Sequence, residues 1–237
     1  MRAAALVLLS VAALPFAMGQ ARSAPPNNAK AVELAEVDLT GYWVAYITED
    51  WRFRMVTPRK GDFQAVPMNE EGRKVAGDWD PAAYEAAGNQ CKAYGAGAIM
   101  LIASRFHFTW QDENTLKVES DWGTQTRLFH FGAAPPKLGE RSWQGYSAAQ
   151  WQKPGSLKVK TTSLRAGYLR KNGVPYSENA TVTEYFDVAP LPNGGKVLLV
   201  TTIVDDPQYL QLPFIVSSQF KKEADGSKWD PTPCTAR

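Results

Sequence analysis

The sequence predicts an all-β protein, an antiparallel barrel that is closed or nearly closed and has about nine or ten strands. Short runs of β-branched and aromatic residues recur at regular spacing, and the links between many of them are too short for anything but antiparallel neighbours. A chain of 237 residues, 44% hydrophobic and 21% charged, can bury one full core. We therefore expect a single domain over residues 38–237. Closure removes exposed strand edges, which favours a barrel over a two-sheet sandwich.

The first 24 residues have the features of a secretory signal. Arg2 precedes an apolar run, residues 3–18, and small residues follow it. The run is shorter than the roughly 20 residues that a membrane span needs, and Pro15 interrupts it, so we expect no membrane span. Residues 25–37 are predicted to form a flexible leader. The protein is expected to be secreted, with the bacterial periplasm as its destination.

The first elements of the domain combine two strands with a small helical insertion near residues 69–94. GYWVAYI, residues 41–47, and WRFRMV, residues 51–56, mix aromatic and β-branched residues and are interpreted as strands. Alanines then replace the β-branched residues, and Asn69 and Asp80 stand at N-cap positions, the latter just before a proline. Two short helices are predicted there.

After residue 97 the pattern becomes that of strands again. Four runs follow one another at short spacing and predict an antiparallel meander: AIMLIAS (98–104), RFHFTWQD (105–112), TLKVESD (115–121) and TQTRLFHF (124–131). Residues 132–155 are rich in proline and glycine and are interpreted as a loop. Further strands are predicted at 156–164, 180–187, 196–205 and 213–221.

Two short motifs carry a resemblance to a known family. Gly41-Tyr42-Trp43 resembles the G-x-W motif with which lipocalins and other calycins begin, where the tryptophan closes the bottom of an eight-stranded barrel. Thr183-Glu184-Tyr185 is similar to a second lipocalin motif, T-D-Y, with glutamate in place of aspartate. The resemblance implies a lipocalin-like barrel. The downstream half, from SWQGYSAAQW to VDDPQYLQLPF, also resembles a broad set of secreted bacterial proteins of unassigned function, which implies export and a β-fold.

The chain has two cysteines, Cys91 and Cys234. In an oxidising compartment such a pair predicts a disulfide, which would tie the C-terminal tail to the body; the alternative is two unrelated thiols. The histidines are His107 and His130, and no Cys or His spacing suits a metal. We therefore expect no metal site.

The stretch between the strands that end at residue 164 and begin at residue 181 is far longer than a hairpin needs. Loops of this length tend to be functional, and this one supplies acid, base and anion-binding groups. Its catalytic candidates are Tyr168 and Tyr176, and its substrate-binding candidates are Arg170, Lys171 and Glu178. The alternative is a solvated Ω-loop whose tyrosines pack on the barrel rim.

His107 is the third catalytic candidate. Phe106 and Phe108 share one face of a predicted strand and His107 lies on the other. If that second face lines the lumen, a neutral imidazole there would serve as a general base. The alternative is a surface histidine or a core histidine with its hydrogen bonds satisfied.

Two further pairs complete the substrate-binding candidates. Asp50 and Trp51, with Arg52 and Arg54 close by, would form a carboxylate and cation site at one barrel end, or else a hairpin corner with solvated arginines. Lys92 and Tyr94 flank Cys91. A disulfide would fix both in place, as suits a Tyr-Lys acid/base pair.

The net charge and the absence of common motifs exclude several classes of function. Formal net charge is +2, with basic and acidic residues interspersed, so nucleic acid is not expected as a partner. Common hydrolase, nucleotide and haem motifs are absent, while eight tryptophans and nine tyrosines suit a ring-bearing ligand. We predict a cofactor-independent lyase or isomerase acting by acid/base chemistry on a small aromatic or apolar molecule. The alternatives are a non-catalytic carrier of a small hydrophobic ligand and a structural envelope protein; the sequence indicates no oligomeric state.

Overall fold

The computed structural model describes residues 29–132, 140–192 and 194–236, so the predicted signal lies outside the described residues. Its mostly β architecture confirms the predicted fold class: nine strands form a closed barrel and two more form a separate hairpin. The strands are β1 (Gly41–Ala45), β2 (Arg105–Asp112), β3 (Thr115–Ser120), β4 (Thr126–Phe131), β5 (Tyr146–Gln152), β6 (Ser156–Thr162), β7 (Gly167–Arg170), β8 (Val174–Tyr176), β9 (Thr181–Pro190), β10 (Lys196–Asp205) and β11 (Phe214–Lys222). The helices are α1 (Trp51–Arg54), α2 (Glu70–Gly77) and α3 (Pro81–Ala86), with 3-10 helices at Gln90–Tyr94 and Ile99–Leu101.

The order of strands around the barrel is β1, β11, β10, β9, β6, β5, β4, β3, β2. All neighbours are antiparallel except β4 and β5, which pair in parallel from Phe129 opposite Ser147. A closed ring with an odd number of strands must contain such a pair, because strict alternation of direction closes only with an even number. The predicted meander is therefore confirmed for β2, β3 and β4.

The barrel interior holds two apolar clusters separated by a layer of polar side chains, here called the polar belt. Along β9, β10 and β11 the inward residues change from apolar to polar and back to apolar, with Glu184, Thr202 and Ser218 as the polar members. Arg127 on β4 makes two hydrogen bonds to the Glu184 carboxylate, at 2.6 and 3.0 Å, and one to Thr161. Two of the three Arg127 nitrogens are thereby paired inside the barrel, whereas Arg127 Nε and the hydroxyls of Thr202 and Ser218 have no partner among the described residues.

The long stretch predicted as a functional loop folds as the hairpin of β7 and β8, and every residue of both strands is buried. Leu169, Val174 and Tyr176 belong to the second apolar cluster, together with residues of β9, β10 and β11. Asp206 fixes the end of the hairpin: its carboxylate accepts hydrogen bonds from the Ser177 amide at 2.6 Å and from the Ser177 hydroxyl at 2.7 Å. The segment is thus a buried β-hairpin and not a solvated Ω-loop.

Three local predictions were wrong. WRFRMV contains α1 and no strand, because Asp50 adopts a left-handed conformation with φ of 50° and its carbonyl accepts the amides of Phe53 and Arg54. AIMLIAS contains a 3-10 helix. Its apolar residues are continuous and mostly buried, so they give no period that distinguishes a strand from a helix. The predicted 132–155 loop contains β5, whose small side chains carry little strand propensity; residues 133–139 lie outside the described residues.

The helical insertion and the disulfide are confirmed. Asn69 accepts the Gly72 amide at 2.9 Å, and Asp80 accepts the amides of Ala82 and Ala83, with Pro81 at the first helical position. Cys91 and Cys234 are bonded, with their Cα atoms 5.1 Å apart. Part of the predicted leader packs on the barrel, since Ala31 is buried and its carbonyl accepts the indole N–H of Trp151. Among the described residues no helix is long and apolar enough to cross a membrane.

Candidate functional site

A cavity of about 210 Å³ lies beside the start of β11, where the chain segments around α1 cover the barrel. The ladder between β1 and β11 spans only Phe220 to Lys222 of β11, whereas Phe214 and Val216, which precede that ladder, line the cavity. The other walls come from residues 50–57, from the region of the second 3-10 helix and from the end of β7. The barrel thus carries a small pocket at the point where its strand pairing is interrupted.

The local conformation of α1 decides which of its side chains enter the pocket. Its single turn begins after Asp50, which itself lines the cavity. Phe53 and Arg54 face the pocket and Arg54 is only 8% exposed, whereas Trp51 is 67% exposed. In WRFRMV it is therefore a helical turn, and not the alternation of a strand, that determines which side chains point inward and which point outward.

Arg54 is the residue whose environment is least satisfied by the protein itself. Its Nε donates to the Leu101 carbonyl at 3.0 Å, but Nη1 and Nη2 are buried and have no hydrogen-bond partner among the described residues. Burial lowers the pKa of Arg54, while the charges of Glu49 and Asp50 act in the opposite direction. None of the ion pairs within 4 Å in the described ranges includes Arg54. Arg54, one of the residues that line the pocket, thus has two strong donors without an acceptor among the described residues.

Arg170 and Lys171 bring two more cations to the same pocket. The Arg170 guanidinium lies 3.9 Å from the centre of the Phe53 ring and donates from Nη1 to the Gln64 carbonyl at 2.6 Å. Burial lowers the pKa of Arg170, against the influence of nearby carboxylates. Lys171 donates from Nζ to the Thr235 hydroxyl at 2.8 Å and to the Tyr94 hydroxyl at 3.2 Å.

The rest of the pocket surface is mainly apolar. Aliphatic and aromatic side chains from four parts of the chain face the cationic groups: Phe53, Leu101, Ile102, Leu169, Phe214 and Val216. Such a surface suits the hydrocarbon or ring portion of a ligand, whereas the guanidinium groups suit an anionic end.

The other predicted residues of the hairpin lie away from this pocket. Tyr176 is fully buried and its hydroxyl has no partner among the described residues; burial raises the pKa of its phenol. Burial also raises the pKa of Tyr168, and so does its hydrogen-bonding neighbour Tyr84. Glu178 is exposed and pairs with Arg141 at 3.5 Å.

Lys92 forms a separate cluster with the tyrosines. Its Nζ lies 4.6 Å from the centre of the Tyr84 ring and 5.5 Å from that of Tyr168. Burial lowers the pKa of Lys92, and the positive charge of Arg165 adds to that effect. Lys92 and Tyr94 are fixed beside the disulfide, but the hydroxyl of Tyr94 bonds to Lys171 and Thr235 and not to Lys92.

His107 does not face the interior. Phe106 and Phe108 point into the barrel core, so the alternate residues of β2 point outwards. The imidazole stacks on the ring of Tyr42, with centres 3.9 Å apart, and its Nδ1 lies 3.8 Å from a carboxylate oxygen of Glu119. It belongs to a surface aromatic cluster that also includes Trp229.

The structure therefore brings together Asp50, Arg170 and Lys171 of the predicted set. The other predicted residues do not line the pocket: Trp51, Lys92, Tyr94, His107, Tyr168, Tyr176 and Glu178. Sequence reasoning placed Arg54 near a carboxylate and cation site but did not distinguish it from the exposed Arg52. The described part of the chain has no group of three or more His, Cys, Asp or Glu side chains that could hold a metal ion. No known protein-family model matches the chain, and no curated protein matches it significantly.

Proposed function

We propose that this protein is a carrier that binds a small organic anion with an apolar body, its anionic end held between Arg54 and Arg170. The observation that carries the proposal is the pair of buried, unpartnered nitrogens of Arg54 at the wall of a cavity. Leaving buried charged donors without acceptors costs free energy, and a ligand carboxylate would repay that cost with charge-assisted hydrogen bonds.

The dimensions and lining of the pocket limit the ligand. A volume of about 210 Å³ is smaller than the usual pocket for a drug-sized molecule, so a single ring or a short chain is the size that fits. Phe53 and Phe214 supply aromatic surface for it. Small aromatic carboxylates are thus the first ligands to test.

The test is calorimetric titration of the folded protein with benzoate and with benzamide, its uncharged counterpart. Benzoate is expected to bind at least about tenfold more tightly, and replacing Arg54 by Met should reduce this difference severalfold, with Arg170 left as the remaining guanidinium. Arg165→Met removes a guanidinium that stacks on Trp143 outside the pocket and serves as the control. Equal binding of benzamide and benzoate would contradict the proposal.

The same variants provide a readout that needs no ligand. Arg54→Met removes two unsatisfied donors at the loss of one hydrogen bond, so the ligand-free protein should keep its stability or gain about 1 kcal/mol. Arg170→Met loses a hydrogen bond and a ring contact without such a gain and should be destabilised. Equal destabilisation by both substitutions would make Arg54 an ordinary structural residue.

A second candidate function is the predicted cofactor-independent lyase or isomerase, which one contact favours. Lys171 lines the pocket and donates a hydrogen bond to the Tyr94 hydroxyl, so a phenol is connected to the pocket through one side chain. Tyr94→Phe should then reduce turnover of a bound aromatic acid while leaving its affinity nearly unchanged, as followed by NMR of the ligand. A pure carrier would show no turnover in either protein, and its affinity for the acid would be nearly the same in both.

We further propose that the chain is exported, with residues 1–24 removed, and that the barrel is related to the calycins. The disulfide supports export to an oxidising compartment. Trp43 supports the calycin relationship, since it is the fully buried residue at the centre of β1, the first strand of the barrel. The mass of the protein recovered from a periplasmic extract tests the export proposal directly.

A further inference from the structure

We propose that the surface segment of residues 51–60 docks the protein on a bilayer that contains anionic lipid, with the mouth of the pocket against the lipid surface. The docking itself is independent of the pocket; only the idea that a ligand passes between bilayer and pocket rests on the proposed function.

The composition and exposure of the segment carry the inference. None of the ten residues of the segment is acidic. Three of its six exposed side chains are apolar and three are basic: Trp51, Met55 and Val56, and Arg52, Arg59 and Lys60. The apolar members are strongly exposed, at 67%, 60% and 63% for Trp51, Met55 and Val56. Amphipathic surface segments of this composition bind at membrane interfaces, with tryptophan at the level of the headgroups.

The apolar side chains lie at the mouth of the pocket. Met55 and Val56 line the cavity and are also mostly exposed, so they mark its opening, as does the partly exposed Trp122. Trp51 is on the same side of the turn as Met55, because the Met55 amide bonds to the Trp51 carbonyl one turn earlier. A molecule that leaves a bilayer through this rim would enter the pocket directly.

The fold presents this segment rigidly. At its beginning, Arg54 is bonded to the Leu101 carbonyl. At its end, the Asn172 side chain in the β7–β8 turn donates to the carbonyls of Arg59 and Asp62, at 3.1 and 2.9 Å. An exposed tryptophan on a fixed segment loses little conformational entropy when it contacts a surface.

The basic side chains make an anionic surface the matching partner. Arg52 is paired with Asp62 and bonded to Gln64, but within the described part of the chain no ion pair within 4 Å involves Arg59 or Lys60. Basic residues beside an apolar rim are attracted to phosphatidylglycerol headgroups, and the attraction falls as salt screens the charges. A neutral surface would use only the apolar half of the segment.

The experiment is flotation of the full processed chain with vesicles of phosphatidylcholine alone or with about a quarter of phosphatidylglycerol. We expect binding to the mixed vesicles, at least about tenfold weaker binding to the neutral ones, and release at high salt. Substituting Ser for Trp51, Met55 and Val56, or Gln for Arg59 and Lys60, should each lower the partition coefficient at least about fivefold.

Leu34→Ser with Leu199→Ser removes two exposed apolar residues elsewhere and should leave binding unchanged. Equal binding to both vesicle types, or no binding by the unmodified chain, would overturn the proposal. So would sedimentation that shows a dimer broken by the serine substitutions, because the segment would then contact a second copy. The variant with Gln for Arg59 and Lys60, neither of which lines the pocket, should still bind benzoate, so that failure of docking is distinguished from failure of the pocket.

Discussion

Of the described residues that have buried polar atoms without a partner, Arg54 and Tyr176 differ strongly in their surroundings. Arg54 belongs to a residue set that lines a cavity, whereas the hydroxyl of Tyr176 is enclosed by the main chain: a Cβ built on Gly95 or Gly167 would lie within 2.5 Å of it. The first arrangement leaves room for a ligand and the second does not. A polar atom therefore indicates a binding site here only where space adjoins it.

Tyr176→Phe is expected to leave the free energy of unfolding unchanged or to raise it by up to about 1 kcal/mol, because it removes a buried hydroxyl that has no partner. Urea denaturation measures this. Tyr94→Phe is the matched control, since its hydroxyl accepts a hydrogen bond from Lys171 at 3.2 Å and its loss should destabilise. A clear loss of stability or of turnover in Tyr176→Phe would show that this hydroxyl has a role.

His107 should make the protein less stable in acid. Partial burial lowers the pKa of His107, and the charges of Lys117 and Lys222 lower it further, against Glu119. The neutral imidazole therefore stabilises the fold above its unfolded pKa of about 6.5, and this contribution is lost as the pH falls through the lower folded value.

Replacing His107 by Gln should consequently reduce the fall in thermal midpoint between about pH 7.5 and about pH 5. Thermal scans of both proteins across this range provide the measurement. An identical fall in the variant would assign the acid sensitivity to other groups.

At the scale of elements, the β7–β8 hairpin depends on its turn glycine. Gly173 has a φ of +87°, and a Cβ there would lie 2.4 Å from the Cβ of Trp79. Gly173→Ala should destabilise the protein by about 3 kcal/mol, from backbone strain and the displaced indole together.

Gly61→Ala is the matched control, since Gly61 has a φ of +86° and nothing within 4 Å of the added carbon. It should cost only the backbone strain, about 1 kcal/mol. Chemical denaturation of the two variants separates the contributions. Equal costs would mean that the hairpin does not need close contact with Trp79.

The sequence predicted those elements whose side chains alternate between core and surface. Strands β2, β3, β9, β10 and β11 bury one face, so their alternation is visible in the letters. WRFRMV alternates too, but its conformation depends on the left-handed backbone of Asp50, which no periodicity reveals.

The candidate site was accessible to sequence reasoning only in part. Arg170 and Lys171 were predicted to hold an anion, and both line the pocket. His107 was assigned to a possible lumen because aromatic residues flank it, and a single strand does not show which of its faces is inside. Which nitrogens of Arg54 find a partner depends on residues that are distant in sequence, such as Leu101, whose carbonyl accepts from Nε. The sequence alone therefore could not show that Nη1 and Nη2 lack one.

At the scale of the whole molecule, the disulfide holds the C-terminal tail against the pocket region. It joins residues 143 positions apart. Thr232 pairs with Trp122 nearby, and Thr235 bonds to Lys171. Replacing Cys91 and Cys234 together by Ser should lower the free energy of unfolding by up to about 5 kcal/mol.

The double variant should also bind benzoate more weakly, because Lys171 loses a fixed partner. Denaturation and calorimetry of the variant measure the two effects. Unchanged stability together with unchanged affinity would show that the tail keeps its position without the covalent link.

The closure of the barrel between β1 and β11 has a consequence for folding kinetics. β1, the first strand in chain order, pairs with β11, the last one. The contacts between these two strands span nearly the whole domain and raise its contact order. Until residues 220–222 are available, the partly formed sheet keeps two unpaired edges, as β1 then has only β2 beside it. A chain interrupted before β11 is therefore an open sheet with aggregation-prone edges and not a smaller barrel.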